Sequence, residues 1–389
     1  MDSPIPRARS GVEARRGVGI LRCVEASRPD RRRRLRRGLR GAVLRAATRF
    51  TPRGDAPLPD LRKCRRVLAV SVNFRLGNTI LATVGVAALL EALPGVELDF
   101  LGGPSAAAVF ASFPLRRVRV VSRRDLFSPL RLARLVRELR RARYDAALHL
   151  STATGSFGAF LTGVSGAPHR VGCLRRGGNV YFTSTLPSPR SRHKVDQVHE
   201  LLAGLGIRSD AERTWIFSDA ERAWAEVCLD EALGRGHGPA LAFFVGARER
   251  KGKGWPLHHF AALAEGVRRR GLHPVVFLGP EEAARAAEIR SALGSALYVQ
   301  EPDVRKVAAL VGACAAALTP DAGPMHLAIA VGTPTLAVFR KSNHERWGPR
   351  PPHGRVHHDP EGTDPGGALE ALLSLASRRG ARRAASPGG

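Results

Sequence analysis

The residues best suited to chemistry are Asp321 and those that follow it, Gly323, Pro324 and His326. An apolar stretch over residues 315–318 predicts a buried strand just before them. Gly323 predicts a tight loop, and Pro324 is able to begin a helix because its missing N–H has no partner there anyway. Such a loop points backbone N–H groups and the positive end of a helix dipole at a phosphate or another anion. Asp321 would reach a sugar hydroxyl or a leaving group, whereas His326 alone is better explained by packing.

A second candidate loop, over residues 245–256, is strongly basic. Gly246 permits close approach of the backbone, and Lys253 would reach a phosphate as a point charge just before the predicted helix. A solvated surface loop is the alternative interpretation. Trp255 favours phosphate binding, because a tryptophan is expected to pack and to fix the loop. The cations of this loop are Arg248, Arg250, Lys251 and Lys253.

The third candidate loop follows the first predicted strand and contains Gly77 as its single glycine. It therefore lacks the G-x-G-x-x-G pattern of a dinucleotide-binding turn, which argues against an ordinary dehydrogenase. Asn78 and Thr79 are the polar groups at the start of the helix that follows. A simple N-cap is the alternative to a functional role for this loop.

Few acidic residues accompany these loops in the sequence. Glu281 and Glu282 follow a predicted strand and are most simply first-turn acids that complement a helix dipole, although one of them could bind a ribose hydroxyl. The chain has no D-x-D pair. The charge of a diphosphate would then be met by Lys, Arg and helix N-termini, and we expect no metal and no other cofactor.

The elements that must position these loops alternate between strands and helices. Strands are predicted at residues 67–72, 97–101, 118–122 and 144–150, and then at 240–245, 274–278, 296–299, 315–319 and 335–339. Such alternation predicts an α/β protein with parallel sheets. Two Rossmann-like domains would face each other across a cleft, with ligands at the carboxyl ends of the strands. The predicted divisions are an Arg-rich arm (1–62), an N-terminal domain (63–235), a C-terminal domain (236–378) and a basic tail (379–389), with the linker at residues 234–239.

The net charge of +28, from 62 basic and 34 acidic residues in 389, is concentrated at the N-terminus. Residues 1–66 hold 20 basic and 6 acidic residues, which is half of the excess. This arm fits a solvated, disordered tail or a segment that binds anionic lipid. Nucleic-acid binding ranks last, because few aromatic residues accompany the arginines.

The remaining composition favours a cytosolic protein. The five cysteines are scattered without metal-ligand spacing, so we expect reduced thiols and no zinc site. No apolar run is long enough to span a membrane, and the basic N-terminus lacks the apolar core of a signal peptide.

Several segments together resemble the heptosyltransferases of lipopolysaccharide synthesis, glycosyltransferase family nine. The resemblance implies a GT-B fold, with the acceptor bound by the first domain and the nucleotide-sugar by the second. It also implies inverting, metal-independent transfer, typically from ADP-heptose. The similar segments are residues 75–92, 144–145 with 166–172, 193–207, 253–256 with 260–263, and 321–328 with 332–334 and 339.

The resemblance also assigns roles residue by residue. It makes Lys253 the phosphate-binding lysine and Glu282 the acid near the ribose. The small phosphate-side loop is Gly246 and Ala247, beside Arg248. The donor signature comprises Asp321, Ala322, Gly323, Pro324 and His326, and the acceptor side comprises Arg75, Gly77 and Asn78.

Two departures from the family pattern bear on the mechanism. Asn78 stands where the family usually has an aspartate that is thought to act as general base, and a neutral amide does not take a proton from a hydroxyl. Another group such as Asp321 could replace it, the acceptor could be intrinsically easier to activate, or catalysis could be lost. Ala322 replaces a threonine and removes one hydroxyl. The sequence thus predicts a cytoplasmic, membrane-peripheral glycosyltransferase acting on an anionic lipid-linked glycan, or a catalytically impaired relative that binds nucleotide-sugar or glycan.

Overall fold

The computed structural model describes residues 54–151, 157–174, 181–246 and 252–384. Within these ranges the chain forms two six-stranded sheets in which all neighbouring strands are parallel. The prediction of two Rossmann-like α/β domains is confirmed. The strands of the first sheet are β1 Arg66–Ser71, β2 Glu97–Gly102, β3 Arg117–Val120, β4 Ala146–His149, β5 His169–Cys173 and β6 Ser184–Leu186.

Helices cover the faces of the first sheet. The first of them, α1, follows β1 directly and buries almost one whole side in the domain core. The helices of this domain are α1 Leu76–Ala92, α2 Ala106–Val109, α3 Arg123–Phe127, α4 Pro129–Arg141, α5 Phe157–Val164 and α6 Lys194–Ala203.

The second domain repeats the same plan. Its strands are β7 Ala240–Phe244, β8 His273–Phe277, β9 Leu297–Val299, β10 Ala316–Pro320, β11 Thr335–Phe339 and β12 Gly354–His358. Its helices are α7 Asp219–Leu233, α8 Leu257–Arg268, α9 Ala286–Leu293, α10 Val304–Ala313, α11 Gly323–Ala330, α12 His344–Trp347 and α13 Pro365–Ala384.

Strand order places the candidate loops at one defined point in each sheet. The orders are β3-β2-β1-β4-β5-β6 and β12-β11-β10-β7-β8-β9, so the direction of winding reverses between β1 and β4 and again between β7 and β10. Ligands of such sheets bind outside the carboxyl ends of the strands at this reversal. The loops after β1, β7 and β10 are the three that the sequence singles out.

The two domains share one apolar core at their junction. Leu327 and Ala330 of α11 belong to the same buried cluster as Ile80 and Val84 of α1. Residues 207–218 cross between the domains along this junction. Their backbone is held by the Thr214 N–H, which donates to Thr83 Oγ1 (2.9 Å), and by the Trp215 N–H, which donates to the Ala330 carbonyl (3.0 Å).

Helix α7 lies immediately before residues 234–239, where the sequence predicts the linker. Its Ala225 and Leu229 pack in one cluster with Ala240 and Phe244 of the second sheet. The boundary predicted at 235/236 therefore follows a helix that already contacts the C-terminal domain.

Two helices, α3 and α4, follow one another closely in the first domain. Pro129 begins α4, and the Ser128 hydroxyl caps it by accepting the Arg131 N–H (3.5 Å). Most of the predicted arm lies outside the described residues. Its end, residues 54–62, contacts the first domain: Asp55 bridges to Ser184, and Leu61 is buried.

No helix within the described ranges has the length and apolarity needed to cross a membrane. The cysteines described, Cys64, Cys173, Cys228 and Cys314, are all free thiols, as expected for reduced side chains, and Cys23 lies outside the described residues.

Candidate active site

Two helices begin side by side at the domain junction, and neither start is closed by a side chain. Helix α11 begins at Gly323 after Ala322, and α1 begins at Leu76 after Arg75; neither preceding residue makes a side-chain cap. The two starts touch, because a Cβ built on Gly77 would lie only 2.5 Å from His326 Cδ2. Free N–H groups at a helix start attract anions.

Lys253 and Asp321, which the resemblance assigns separately to the donor site, contact each other at this point. The Lys253 ammonium donates to Asp321 Oδ2, and the Asn343 amide donates to the same oxygen at 2.8 Å. Asp321 directly follows β10 and lies two residues before the start of α11, so its carboxylate holds the lysine beside the open helix start. Oδ1 of Asp321 makes no hydrogen bond to any residue in the described ranges. Asn343 was not predicted from the sequence.

Trp255 fixes the segment that carries Lys253, as its type predicts. The ring is buried, and its Nε1–H donates to Asp359 Oδ2 at 2.8 Å. Asp359 also accepts the backbone N–H groups of residues 362–364, and these bonds keep the pKa of its carboxyl below the usual range although burial opposes them. Gly252, immediately before Lys253, has a φ of 60°, which a glycine tolerates without strain.

Gly246 and Glu282 lie in contact at the ends of β7 and β8. A Cβ built on Gly246 would lie 1.6 Å from Glu282 Oε1, so only a glycine leaves room for this carboxylate. The Gly279 N–H donates to Glu282 Oε2 at 2.9 Å. Burial raises the pKa of Glu282 above its usual value, and the charge of Glu281 acts in the same direction. The carboxylate is thereby fixed beside Gly246 at the ends of β7 and β8.

Asn78 lies in the first turn of α1, three positions after Arg75, which occupies the N-cap position without a side-chain cap, so the alternative of a simple N-cap does not apply to Asn78. Its amide donates to Asn73 Oδ1 at 3.4 Å, and the Asn73 amide donates to Ser71 Oγ at 3.1 Å. Arg75, just before the helix, is exposed. This chain of neutral amides orients Asn78 but offers no base.

His326 is paired with Arg213, a residue that sequence reasoning missed. The Arg213 guanidinium, with 1% of its side chain exposed, places Nη1 3.2 Å from His326 Nδ1. Because a guanidinium only donates, Nδ1 must accept, and the neutral ring carries its proton on Nε2. Burial, followed by the positive charge of Arg213, lowers the pKa of His326 to about 3, so the ring stays neutral near pH 7.

A second group of missed residues lines the same junction on α6 and α12. The His193 ring nitrogen Nε2 lies 3.1 Å from the Gly348 carbonyl oxygen. Lys194 is buried with its ammonium 5.9 Å from the centroid of the Trp347 ring, and burial lowers its pKa to about 8. The Trp347 ring in turn contacts His326. The polar pair His193-Lys194 at a predicted helix start was the only available signal in the sequence.

The structure thus places Lys253 against Asp321 beside α11, Gly246 against Glu282 at the ends of β7 and β8, and Gly77 against His326. Ala322 precedes α11 with no hydroxyl, and Pro324 occupies one of the first two positions of the helix, as predicted. Ala247 and Arg248 lie outside the described residues. Binding roles for all of these side chains stay predictions.

Two heptosyltransferases are similar to this chain in sequence. Lipopolysaccharide heptosyltransferase 2 of Salmonella typhimurium is 26% identical over 267 residues, which cover 63% of this chain and 76% of that protein. Lipooligosaccharide heptosyltransferase 2 of Haemophilus influenzae is 31% identical over 110 residues, covering 27% of this chain and 32% of that protein.

Solved structures share the fold. The crystal structure of a family 9 glycosyl transferase from Veillonella parvula matches with a TM-score of 0.73 at 19% identity, covering 82% of this chain and 99% of that one. The ADP-heptose lps heptosyltransferase II of E. coli matches with a TM-score of 0.67 at 20% identity, covering 81% and 99%. A family model for glycosyltransferase family 9 (heptosyltransferase) matches residues 132–361. Since this match spans more than half of the sequence, the chain belongs to glycosyltransferase family 9, and its paired Rossmann-like domains form the GT-B fold of a glycosyltransferase.

Proposed function

We propose that this chain transfers a heptose-type sugar from a nucleoside-diphosphate donor, of the ADP-heptose type, to a lipopolysaccharide core or another lipid-linked glycan. The observation that carries the proposal is the contact of Lys253 with Asp321 beside the open start of α11. A lysine and a helix N-terminus at one point form a site for the leaving diphosphate. The names of the similar proteins supply the sugar and the acceptor class.

The proposed transfer is an in-line displacement. The acceptor hydroxyl attacks the anomeric carbon from the side opposite the diphosphate, so the new glycosidic bond has inverted configuration. The bond to the diphosphate breaks, and the developing negative charge is stabilised by Lys253 and the N–H groups of α11. Arg248 would add a further cation, and Glu282 would accept a ribose hydroxyl. In this scheme protein groups meet the charge that a metal would otherwise meet.

The step that removes the acceptor proton must differ from the family pattern, because Asn78 replaces the usual aspartate. Asn78 positions the hydroxyl through its amide, and the proton goes to Asp321 through the oxygen that Lys253 and Asn343 leave unbonded. Asn78 and Asp321 are therefore the proposed catalytic pair, with Arg75 and Gly77 on the acceptor side. The acceptor is an anionic lipid-linked glycan, so we place the enzyme on the cytoplasmic face of the inner membrane, as a peripheral protein.

The direct test is release of nucleoside diphosphate from ADP-heptose in the presence of a lipid-linked acceptor. We expect Lys253→Met to lower turnover by about 100-fold or more, because one preorganised charge is lost from the transition state. Lys63→Met is the matched control: Lys63 precedes β1 at the opposite edge of the sheet, and its side chain is 85% exposed. Equal turnover of the Lys253 variant and the wild type would show that the leaving-group role is wrong.

A second candidate function is binding of nucleotide-sugar without transfer, and the amide chain at Asn78 favours it. Calorimetry with ADP and ADP-sugars, next to the turnover assay, distinguishes the two: tight binding without turnover supports the binding protein. If the amide is the defect, Asn78→Asp creates activity or raises it. An unchanged rate in a catalytically active protein would point to Asp321 as the base.

A further inference from the structure

The corner between α3 and α4 exposes two large apolar side chains. Phe127 is 61% exposed and Leu130 is 85% exposed, the highest values among the large hydrophobic residues described. We call Phe127, Leu130 and the exposed arginines around them the corner patch. These arginines are Arg123, Arg124, Arg131 and Arg134.

Side-chain caps at the starts of α3 and α4 fix the structure of this corner. Ser122 and Asp125 form a reciprocal capping box at the start of α3, and the Ser128 hydroxyl caps α4 one residue after α3 ends. The inward side of α4 is packed, since Leu139 is buried and Leu132 and Leu135 contact the core. Phe127 and Leu130 lie outside the apolar face of α4 formed by Leu132, Leu135 and Leu139. Their side chains are therefore exposed even though the corner itself is ordered.

The surroundings of the two apolar residues are strongly positive. Residues 123–137 contain five arginines and one acid, Asp125. Asp125 is held by Ser122 and lies 3.3 Å from Arg131, and Arg134 lies 3.6 Å from Glu138. Apolar side chains that project from a ring of arginines match the interface of an anionic bilayer, where the chains bury and the cations meet phosphates. A protein partner of neutral or basic character would not match this charge.

The corner patch lies at the same edge of the sheet as the candidate acceptor loop. Helix α3 follows the carboxyl end of β3, as α1 follows that of β1. The Arg123 guanidinium lies 5.1 Å from the centroid of the Phe74 ring, in the loop that leads to Asn78. A surface bound at the corner would therefore face the first domain's side of the cleft.

We propose that the corner patch docks the protein on an anionic membrane, with Phe127 and Leu130 inserted at the interface and the arginines bound to lipid phosphates. Delivery of a lipid-linked acceptor to the cleft rests on the function proposed above. The membrane binding itself does not, so the two are tested separately.

Flotation of the full chain with vesicles tests the docking. Wild-type protein is expected to bind vesicles of phosphatidylglycerol mixed with phosphatidylcholine, and to bind pure phosphatidylcholine much more weakly. We expect Phe127→Ser combined with Leu130→Ser to reduce the partition coefficient by about 10- to 100-fold, because two apolar side chains leave the interface. The matched control is Val227→Ser on α7, since Val227 is also more than half exposed but lies on the second domain.

A local probe separates the corner from the basic N-terminal arm. Leu130→Trp is expected to shift its added fluorescence to the blue on anionic vesicles and to be quenched by brominated acyl chains. Vesicle binding by the serine double variant equal to that of the wild type would overturn the proposal, as would an unquenched tryptophan. A concentration-dependent dimer that is lost in the double variant, without any vesicle binding by the wild type, would assign the patch to self-association and overturn it as well.

Turnover distinguishes failure of the docking from failure of the proposed function. With acceptor embedded in vesicles, the serine double variant is expected to lose about 10-fold or more in rate, whereas with a detergent-dispersed acceptor it should equal the wild type. A protein that docks but turns over neither acceptor retains the membrane proposal and loses the transferase proposal.

Discussion

Replacing Arg213 by methionine removes the group that sets the proton position on His326. In the wild type, Nη1 of Arg213 lies 3.2 Å from His326 Nδ1, which leaves the ring proton on Nε2. That nitrogen lies close to Gly77, at the meeting of α1 and α11. It makes no hydrogen bond within the described part of the chain, so its N–H is available to a ligand oxygen. The other tautomer would present a lone pair to an anionic ligand.

The size of the effect follows from the burial of both side chains. Arg213 and His326 are each more than nine-tenths buried, so methionine leaves Nδ1 without its charged donor. One hydrogen bond from a charged donor corresponds to about 1.5–3 kcal/mol, which predicts a 10- to 150-fold fall in kcat/KM for the donor. The pKa of His326 is about 3 in the wild type and should be higher in the variant. The reason is that Arg213 is the largest of the charges that lower this pKa, ahead of His193 and Lys253.

Histidine-selective 15N NMR measures both the tautomer and the pKa of His326, and it requires no turnover. The wild-type spectrum should show an unprotonated Nδ1 and a protonated Nε2 at neutral pH, and Arg213→Met should mix the two forms. Arg350→Met is the matched control, because Arg350 and Arg213 each lie 3.5 Å from a Glu212 oxygen but only Arg213 contacts the imidazole. A wild-type ring with its proton on Nδ1 would refute the reasoning, whatever the kinetics.

Two further predictions concern the second domain and the domain junction. Gly246→Ala should displace the Glu282 carboxylate and raise the donor Kd by about 10-fold with little change in thermal stability, measured by calorimetry and melting, because a flexible side chain yields. Glu221→Gln should lower the free energy of unfolding by about 2 kcal/mol at neutral pH. Arg305 holds the pKa of Glu221 at about 2, so urea titrations should show this difference shrinking as pH falls below 4.5; a constant difference would contradict the ion pair.

The loops of the candidate site could be predicted because local chemistry determines them. An apolar strand followed by Asp321, Gly323 and Pro324 can form little other than a strand, a tight loop and a helix start. Trp255 is buried, as the size of its side chain requires. Parallel pairing then places such loops at one edge of each sheet whatever the details of the helices.

Arg213 could not be predicted, because its burial depends on two domains closing over it. It stands in a charged stretch that looks solvated in sequence, and in the fold it is buried against His326 of α11. Helix α7 was missed although a signal was present: Ser218 and Glu221 have the spacing of a capping box, and the structure shows one. The strands β5, β6 and β12 are short and carry polar residues, so their pairing is set by the sheet beside them.

A crystal structure of the complex with ADP would show where the diphosphate binds. We expect diphosphate oxygens within hydrogen-bond distance of Lys253 Nζ and of the backbone N–H of Gly323, with the ribose beside Glu282. A nucleotide seated on the first domain, or a diphosphate out of reach of both Lys253 and the start of α11, would contradict this expectation.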